Sequence, residues 1–315
     1  YMGGYMLYFI VNEKSKSGNA KQIWKEIEEV LKVRNVSYQA FVSEYRGHAG
    51  KLATEICAMD DNDICLVAVG GDGTANEVIN GITDFEKVRF GVIPTGSGND
   101  FARGLSLSKD PKNGAIHILN AMKKSREDTW CMDLGEVNFG EKKRLFAISA
   151  GIGLDALVCK KALKSTIKDI LNKIRLGKLT YLVLTVQSLF TMQTADAEIF
   201  FDREEGLQKK RMIFTAAMNF KAEGGGVPMA PAASACDGKL SFCEAAGIPK
   251  WRTFLCLPFL VAAKHTSIHG FSVTDAKDCT IRLSRPMVVH ADGEYCGEVT
   301  EVHFHCLPGK LRVLK

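Results

Sequence analysis

Ile64-Cys-Leu-Val-Ala-Val-Gly-Gly-Asp-Gly-Thr-Ala-Asn-Glu-Val-Ile-Asn-Gly81 carries three structural signals in succession. Ile64 to Val69 is an unbroken apolar run, the mark of a strand buried on both faces. It stops at Gly70-Gly71-Asp72-Gly73-Thr74, where missing side chains let backbone N–H groups approach another molecule closely. A short helix is expected to start near Ala75. Strand, glycine turn and helix make up the repeating unit of a parallel α/β sheet.

The same rhythm extends to both sides. Leu7 to Val11 reads as a buried strand, followed by a polar turn over Asn12–Asn19 and an amphipathic helix from Ala20 to Leu31. Tyr38–Val42 predicts a second strand and Ala49–Met59 a second helix. Arg89–Ile93 predicts a fourth strand, ended by Pro94-Thr-Gly-Ser-Gly-Asn-Asp100. From Asp128 the texture changes. Alternating segments at Thr129–Val137, Lys143–Ala150, Ala197–Phe201, Lys210–Met218, Lys239–Ala245, Asp278–Leu283 and Met287–His290 predict antiparallel strands in a sandwich. Helical stretches interrupt them at Ala156–Met192, broken near Gly177, and at Trp251–Lys264. Alternation returns over Glu301–Leu314. The expectation is an α/β domain over residues 1–127 and an all-β sandwich over 128–300.

Bulk properties narrow the function. The 315 residues are 46% hydrophobic and 24% charged, an ordinary globular balance. A formal charge of +5, interspersed along the chain, suits anionic lipid or nucleotide phosphate. It lacks the dense basic stripe of a nucleic-acid binder, so no nucleic-acid partner is expected. The ten cysteines form no C-x-x-C pair, which fits reduced thiols in a cytoplasmic protein. No apolar run reaches the roughly 18 residues needed to span a bilayer, and Tyr1–Met6 is too short for a signal h-region.

Three glycine-containing turns follow predicted strands of the first domain, and together they point to phosphate. A turn at the carboxyl end of a parallel strand presents N–H groups, and the next helix N-terminus adds a favourable dipole. Thr74 can cap its helix, and Asp72 can act through metal or water near a triphosphate. Ser97 offers a hydroxyl, with Asn99 and Asp100 pinning its loop. The Asn12–Gly18 turn supplies Ser15, Lys16 and Ser17. One such turn alone is usually a plain connector; three on one sheet are not. There is no G-x-x-x-x-G-K-[ST], which removes a P-loop enzyme. Gly151-Ile-Gly153-Leu-Asp-Ala156 matches a loose dinucleotide fingerprint, but it stands in antiparallel texture and reads as a turn.

Gly70 to Gly81, with Ile93-Pro-Thr-Gly-Ser-Gly-Asn-Asp-Phe-Ala-Arg103, resembles the catalytic signature of the diacylglycerol kinase family, which includes bacterial soluble lipid kinases and is related to sphingosine kinases. The likeness covers almost the whole chain: Ser43 ahead of Gly47-His48-Ala49, Gly224–Gly226 with Pro231, Asp237-Gly238, and Asp292-Gly293-Glu294. GGDGT alone is shared with NAD kinases and phosphofructokinases; the second loop discriminates. Two departures stand out. Asn12-Glu13-Lys14-Ser15-Lys16 lacks the family's usual proline and first glycine, and Ser43 stands where threonine is commoner.

The resemblance implies an N-terminal domain like that of phosphofructokinase and NAD kinase, a C-terminal β-sandwich, and a segment 301–315 that packs back on the first domain. It implies ATP between the domains, contacted by Asn12, Ser15, Lys16, Ser43, Gly71, Asp72, Gly73, Thr74, Ala75, Asn76, Glu77 and Ser97. Glu294 becomes the proton acceptor, with Asp292 organising metal or water beside it. Mg²⁺ would sit near Asp237, completed by the backbone carbonyls of Ser234 and Lys239. The acceptor is a lipid hydroxyl met peripherally at the inner membrane surface, and a homodimer stays open.

Blander readings compete at several points. Asp292-Gly293 and Asp237-Gly238 are also hairpin signals. His303 and His305 alternate on one strand face without an evident third ligand, so a half-exposed strand is expected there. Trp251, Phe254, Leu255, Leu257, Phe259 and Leu260, like Leu179–Leu184, suit either a core stripe or a membrane-facing one. A NAD kinase and a non-enzymatic lipid- or nucleotide-binding regulator are the competing functions. Retention of Asp72, Asp237 and Glu294 together argues against the regulator.

Overall fold

The computed structural model describes residues 6–15, 20–164, 177–202 and 205–315. The chain divides into two compact units, residues 1–132 with 309–315, and residues 133–308. The division falls inside one continuous strand, β5 (Trp130–Phe139), so the change in sequence texture near Asp128 slightly precedes it.

In the N-terminal unit, β1 (Met6–Val11), β2 (Gln39–Val42), β3 (Ile64–Gly70) and β4 (Val88–Pro94) form a parallel sheet in the order β2-β1-β3-β4. Every residue of β3 and β4 is buried, which explains their unbroken apolar runs. Helix α1 (Ala20–Val33) buries Ala20, Trp24, Ile27 and Leu31, one stripe at helical spacing. That stripe joins α5 (Pro111–Ala121) in a cluster over Phe9, Val67 and Ile93. Helices α2 (His48–Cys57) and α3 (Asp72–Gly81) pack against each other through glycine. A Cβ on Gly81 would stand 2.1 Å from the Gly50 carbonyl oxygen, so no larger residue fits.

The last residues of β14 (Glu294–Val313) extend this sheet: Arg312 and Val313 pair with Arg89 and Phe90 in parallel, and the Leu314 N–H donates to the Phe90 carbonyl at 2.8 Å. Arg89 is 1% exposed yet charged. Its guanidinium grips both oxygens of Asp63, at 3.0 and 2.7 Å, and donates to the carbonyls of Met122 and Lys124. Such a bidentate pair offsets the cost of burying the charge.

The C-terminal unit is antiparallel. β6 (Lys142–Phe146), β7 (Ser149–Gly153), β8 (Ala195–Phe201), β9 (Leu207–Met212), β10 (Phe214–Met218), β11 (Leu240–Ala245), β12 (Phe271–Ala276) and β13 (Asp278–Ala291) surround a core that includes Phe146, Phe242, Ile281 and Phe304. The order runs β12-β11-β10-β7-β13-β14. β13 pairs with β8 over Cys279–Leu283 and with β7 over Val289–Ala291, and its ladder with β14 shifts register between Arg282 and Met287. One continuous strand therefore changes partner along its length where the alternation suggested two strands.

The strand expected over Lys143–Ala150 is two, β6 and β7, and so is that over Lys210–Met218, β9 and β10. Gly151-Ile-Gly153 is no turn. It is the end of β7, running straight into helix α6 (Leu154–Lys164). Helix α7 (Gly177–Thr191) ends the long helical stretch, whose middle, 165–176, lies outside the described residues. Helix α8 (Lys250–Val261) matches the second stretch, and a five-residue helix α4 (Asp100–Gly104) follows the Pro94–Asp100 turn.

Candidate active site

In the N-terminal unit the glycine turns are locked to one another by backbone contact. A Cβ on Gly96 would lie 2.8 Å from the Gly71 Cα, so the Gly70–Thr74 and Pro94–Asp100 turns meet only because both positions are glycine. The Thr95 N–H donates to the Gly70 carbonyl at 2.8 Å. Asp72 completes the lock: its carboxylate accepts the N–H groups of Asp100 and Phe101, each at 3.0 Å. This acid therefore positions the neighbouring turn. Asn99, at φ 52°, closes that turn on itself through Gly96 N–H and C=O at 2.9 and 2.8 Å. Ser97 projects from it, exposed.

Asn12 leaves β1 and donates to the Thr74 hydroxyl at 3.0 Å, while the Ser15 and Thr95 hydroxyls are hydrogen-bonded to each other. Lys16 and Ser17 lie outside the described residues. Ser43 is buried beside β1, its N–H donating to Val11 at 2.8 Å. Glu77 accepts the Gly47 N–H at 2.8 Å and so ties α3 to the Gly47-His48-Ala49 turn, where φ at Gly47 is 86°. Thr74, Ala75 and Asn76 are buried at the start of α3. Gly71 caps α3 with no side-chain hydrogen bond, so the first-turn N–H groups of this helix have no side-chain cap to displace.

In the C-terminal unit, Asp292-Gly293 is a two-residue hairpin turn between β13 and β14, closed by the Ala291–Glu294 pair. Both residues have positive φ, 47° and 80°, as such a turn requires. The Asp292 carboxylate accepts three backbone N–H groups, from Ala147 at 2.9 Å, Ile148 at 2.8 Å and Ser149 at 3.1 Å. It also explains the break between β6 and β7, whose N–H groups turn toward this acid instead of a ladder partner. The hairpin reading holds: the turn is pinned, and half-buried Glu294 follows it directly.

Beside this turn stands a cluster the sequence did not reveal. Asp155 of α6, Glu223 and His290 of β13 bring ligand-type atoms within 4.8 Å of one another. His290 Nε2 meets Asp155 Oδ2 at 3.1 Å, the Ser149 hydroxyl bonds Glu223, and the Gly293 N–H donates to His290 Nδ1 at 3.3 Å. Gly151 makes the room, since a Cβ there would stand 1.8 Å from Asp155 Oδ2. Burial lowers the His290 pKa, but the bonded Asp155 and the fields of Glu223 and Asp292 outweigh it and hold the imidazole above its ordinary value.

Asp237 is exposed, and its Oδ1 accepts the Lys239 N–H at 3.1 Å. The turn is anchored by buried Asp133, which accepts the Gly238 N–H at 2.7 Å and donates its own to the Ala235 carbonyl at 2.7 Å. Sequence reasoning missed Asp133. The Asp237 carboxylate with the Ser234 and Lys239 carbonyls is an all-oxygen donor set, the kind a hard cation such as Mg²⁺ takes. His303 and His305 both come within reach of Asp278 Oδ1, at 3.2 and 2.7 Å, on a partly exposed strand.

Comparison with known proteins agrees with this architecture. Residues 6–132 match the diacylglycerol kinase catalytic domain, and residues 149–315 match the YegS C-terminal NAD kinase beta sandwich-like domain. A Bacillus subtilis (strain 168) protein named "Putative lipid kinase YtlR" is 30% identical over 97% of this chain and 98% of its own length. The diacylglycerol kinase of the same organism is 28% identical over 79% of this chain and 76% of its own. Among solved structures, a Bacillus anthracis str. Sterne protein described as "a putative diacylglycerol kinase" aligns with a TM-score of 0.77 at 22% identity, covering 98% of this chain and 96% of that one. An NAD kinase from Archaeoglobus fulgidus in complex with ATP aligns at 0.54 and 14%, covering 98% and 94%, which extends the shared fold to that group. No described helix is long and apolar enough to cross a membrane. The chain belongs to the diacylglycerol kinase catalytic-domain family, a family of lipid kinases.

Proposed function

We propose that this protein transfers the γ-phosphoryl group of ATP to a hydroxyl of diacylglycerol or a similar lipid. The observation that carries the reading is the backbone contact of Gly71 with Gly96, which joins two glycine turns at the carboxyl ends of adjacent parallel strands. Such a surface of N–H groups suits a polyphosphate, because phosphoryl transfer depends on positioning and charge neutralisation more than on covalent chemistry. Ser97 and the α3 N-terminus face the phosphates in this reading, and Ser43 lies toward the nucleoside.

In the C-terminal unit, Glu294 accepts the proton of the lipid hydroxyl as its oxygen bonds to phosphorus. Asp292 acts through Glu294 by holding the turn that carries it. Asp237, with the Ser234 and Lys239 carbonyls, would hold Mg²⁺, and that ion would supply rigidity to its loop.

The test is transfer of labelled γ-phosphate from ATP to a panel of diacylglycerol, a sphingoid base, phosphatidylglycerol, an undecaprenyl-type alcohol and NAD, with products separated and weighed. Label on a lipid hydroxyl is expected. Label on NAD alone would move the chain to the NAD kinases, and label on no acceptor would favour the regulator.

A further inference from the structure

Two helices of the C-terminal unit leave apolar faces uncovered. α8 carries apolar residues on its outer face as well as its inner one: Cys256 and Leu260 are buried, while Trp251, Leu255 and Phe259 are 60%, 57% and 49% exposed. A helix on a water-facing surface keeps polar residues outward, so this composition calls for a second apolar environment. α7 repeats the pattern, with Leu184 and Leu189 in the core and Leu182, Val183 and Phe190 each more than half exposed.

The structure joins these stripes, which lie far apart in sequence. The rings of Phe190 and Phe254 are 6.0 Å apart, and Lys250 Nζ donates to the carbonyls of Phe190 and Met192. Of the 13 large apolar side chains exposed among the described residues, three lie on α7 and five on α8, eight in all. Scattered apolar residues need no explanation, whereas a patch of this kind does. Neither helix carries an acid, and Lys250, Arg252 and the following Lys264 are basic. Aromatic and aliphatic groups beside cations, without acids, make up the composition of a helix lying in the headgroup layer of an anionic membrane. The 12 residues of α8 are too few to span it.

We infer that the outer faces of α7 and α8 form a docking surface for an anionic bilayer. For its purpose the inference rests on the lipid-kinase reading, since it would bring the enzyme to an insoluble acceptor. The binding itself is independent of that reading.

The experiment is co-sedimentation of the full chain with vesicles of phosphatidylcholine, alone or mixed with phosphatidylglycerol. Wild type is expected on the mixed vesicles and much less on the neutral ones. Leu255→Glu and Phe259→Glu should each weaken partitioning about tenfold, and Arg252→Glu should weaken it only on the anionic vesicles. Val33→Glu, an 87% exposed site on α1, should bind as wild type. Melting temperature and phosphorylation of a short-chain soluble acceptor should stay unchanged in all four variants. Wild type absent from anionic vesicles, or α8 variants binding normally, would overturn the proposal. So would α8 variants that split a dimer in sedimentation velocity while vesicle binding stays the same. Vesicle binding without phosphate transfer to any lipid leaves the docking surface standing and removes the kinase reading. Transfer to vesicle lipid at wild-type rates in both α8 variants does the reverse.

Discussion

The Gly70–Thr74 turn of the N-terminal unit and the Asp292-Gly293-Glu294 turn of the C-terminal unit are built on one plan, and the Asp237-Gly238 turn departs from it. Asp72 and Asp292 each aim a carboxylate at backbone N–H groups of a neighbouring turn, two in one case and three in the other. The Asp237 carboxylate bonds only within its own turn, to Lys239, among the contacts described, and a separate acid, Asp133, anchors that loop. The Asp-Gly pairs thus differ. Where the acid holds another turn it fixes geometry; where it faces outward it bonds within its own turn, and its proposed role as a cation ligand is open to test.

The comparison can be broken at several points, and the largest effect belongs to Glu294. Glu294→Gln should lower turnover by ~10²-fold or more, with ATP affinity nearly unchanged by calorimetry. Near-normal turnover in the folded variant would remove Glu294 as the base. Asp292→Ala comes next. It leaves three N–H groups without their acceptor and should cost roughly 2–4 kcal/mol in denaturant unfolding, together with a drop in kcat. Asp292→Asn, which keeps an acceptor oxygen, should recover part of both. A loss of kcat in the Ala variant with unchanged stability would argue that Asp292 acts on the reaction directly.

In the other unit, Gly96→Ala pushes a methyl group onto Gly71 and should weaken ATP about tenfold, roughly 1.4 kcal/mol. kcat at saturating ATP should move less. For Asp237, Mg²⁺ without nucleotide should raise the wild-type melting temperature by a few degrees, as any ligand of the folded state does. Asp237→Ala should lose that rise. A wild type indifferent to Mg²⁺ until ATP is added would mean that the metal arrives with the nucleotide.

The smallest effect concerns His290. Its pKa is raised in the folded chain, so its stabilising contribution is complete below the ordinary imidazole value of about 6.5 and fades as pH climbs through the raised value. His290→Gln should flatten that part of the stability–pH curve. An unchanged slope would mean that Asp155 and Glu223 do not hold the imidazole charged.

What the sequence made legible was local. The apolar run Ile64–Val69, the glycines after it and the Asp-Gly dipeptides are short-range patterns, and they located the parallel sheet and the turns. The start of α5 also has a local signal, since Asp110 caps it by accepting the Asn113 N–H at 2.8 Å, with Pro111 at the first helical position. Other features depend on the fold. The break between β6 and β7 follows from Asp292, more than a hundred residues later in the chain. The break between β9 and β10 falls beside Arg211, whose φ of 51° no alternation pattern announces. Asp155, Glu223 and His290 sit on a helix, a loop and a strand, so no spacing could have joined them. Nor could spacing say that Asp72 faces a neighbouring turn, because GGDGT reads the same whichever way the carboxylate points.

The most direct test of the central claim uses ATP labelled in its γ-phosphate and vesicles containing diacylglycerol, with wild type and Glu294→Gln run side by side. Labelled phosphatidic acid, or the corresponding phosphate of another lipid alcohol, should accumulate with wild type and fall by ~10²-fold or more with Glu294→Gln at equal ATP occupancy. Label released only to water, or transferred to NAD in preference to every lipid, would contradict the account.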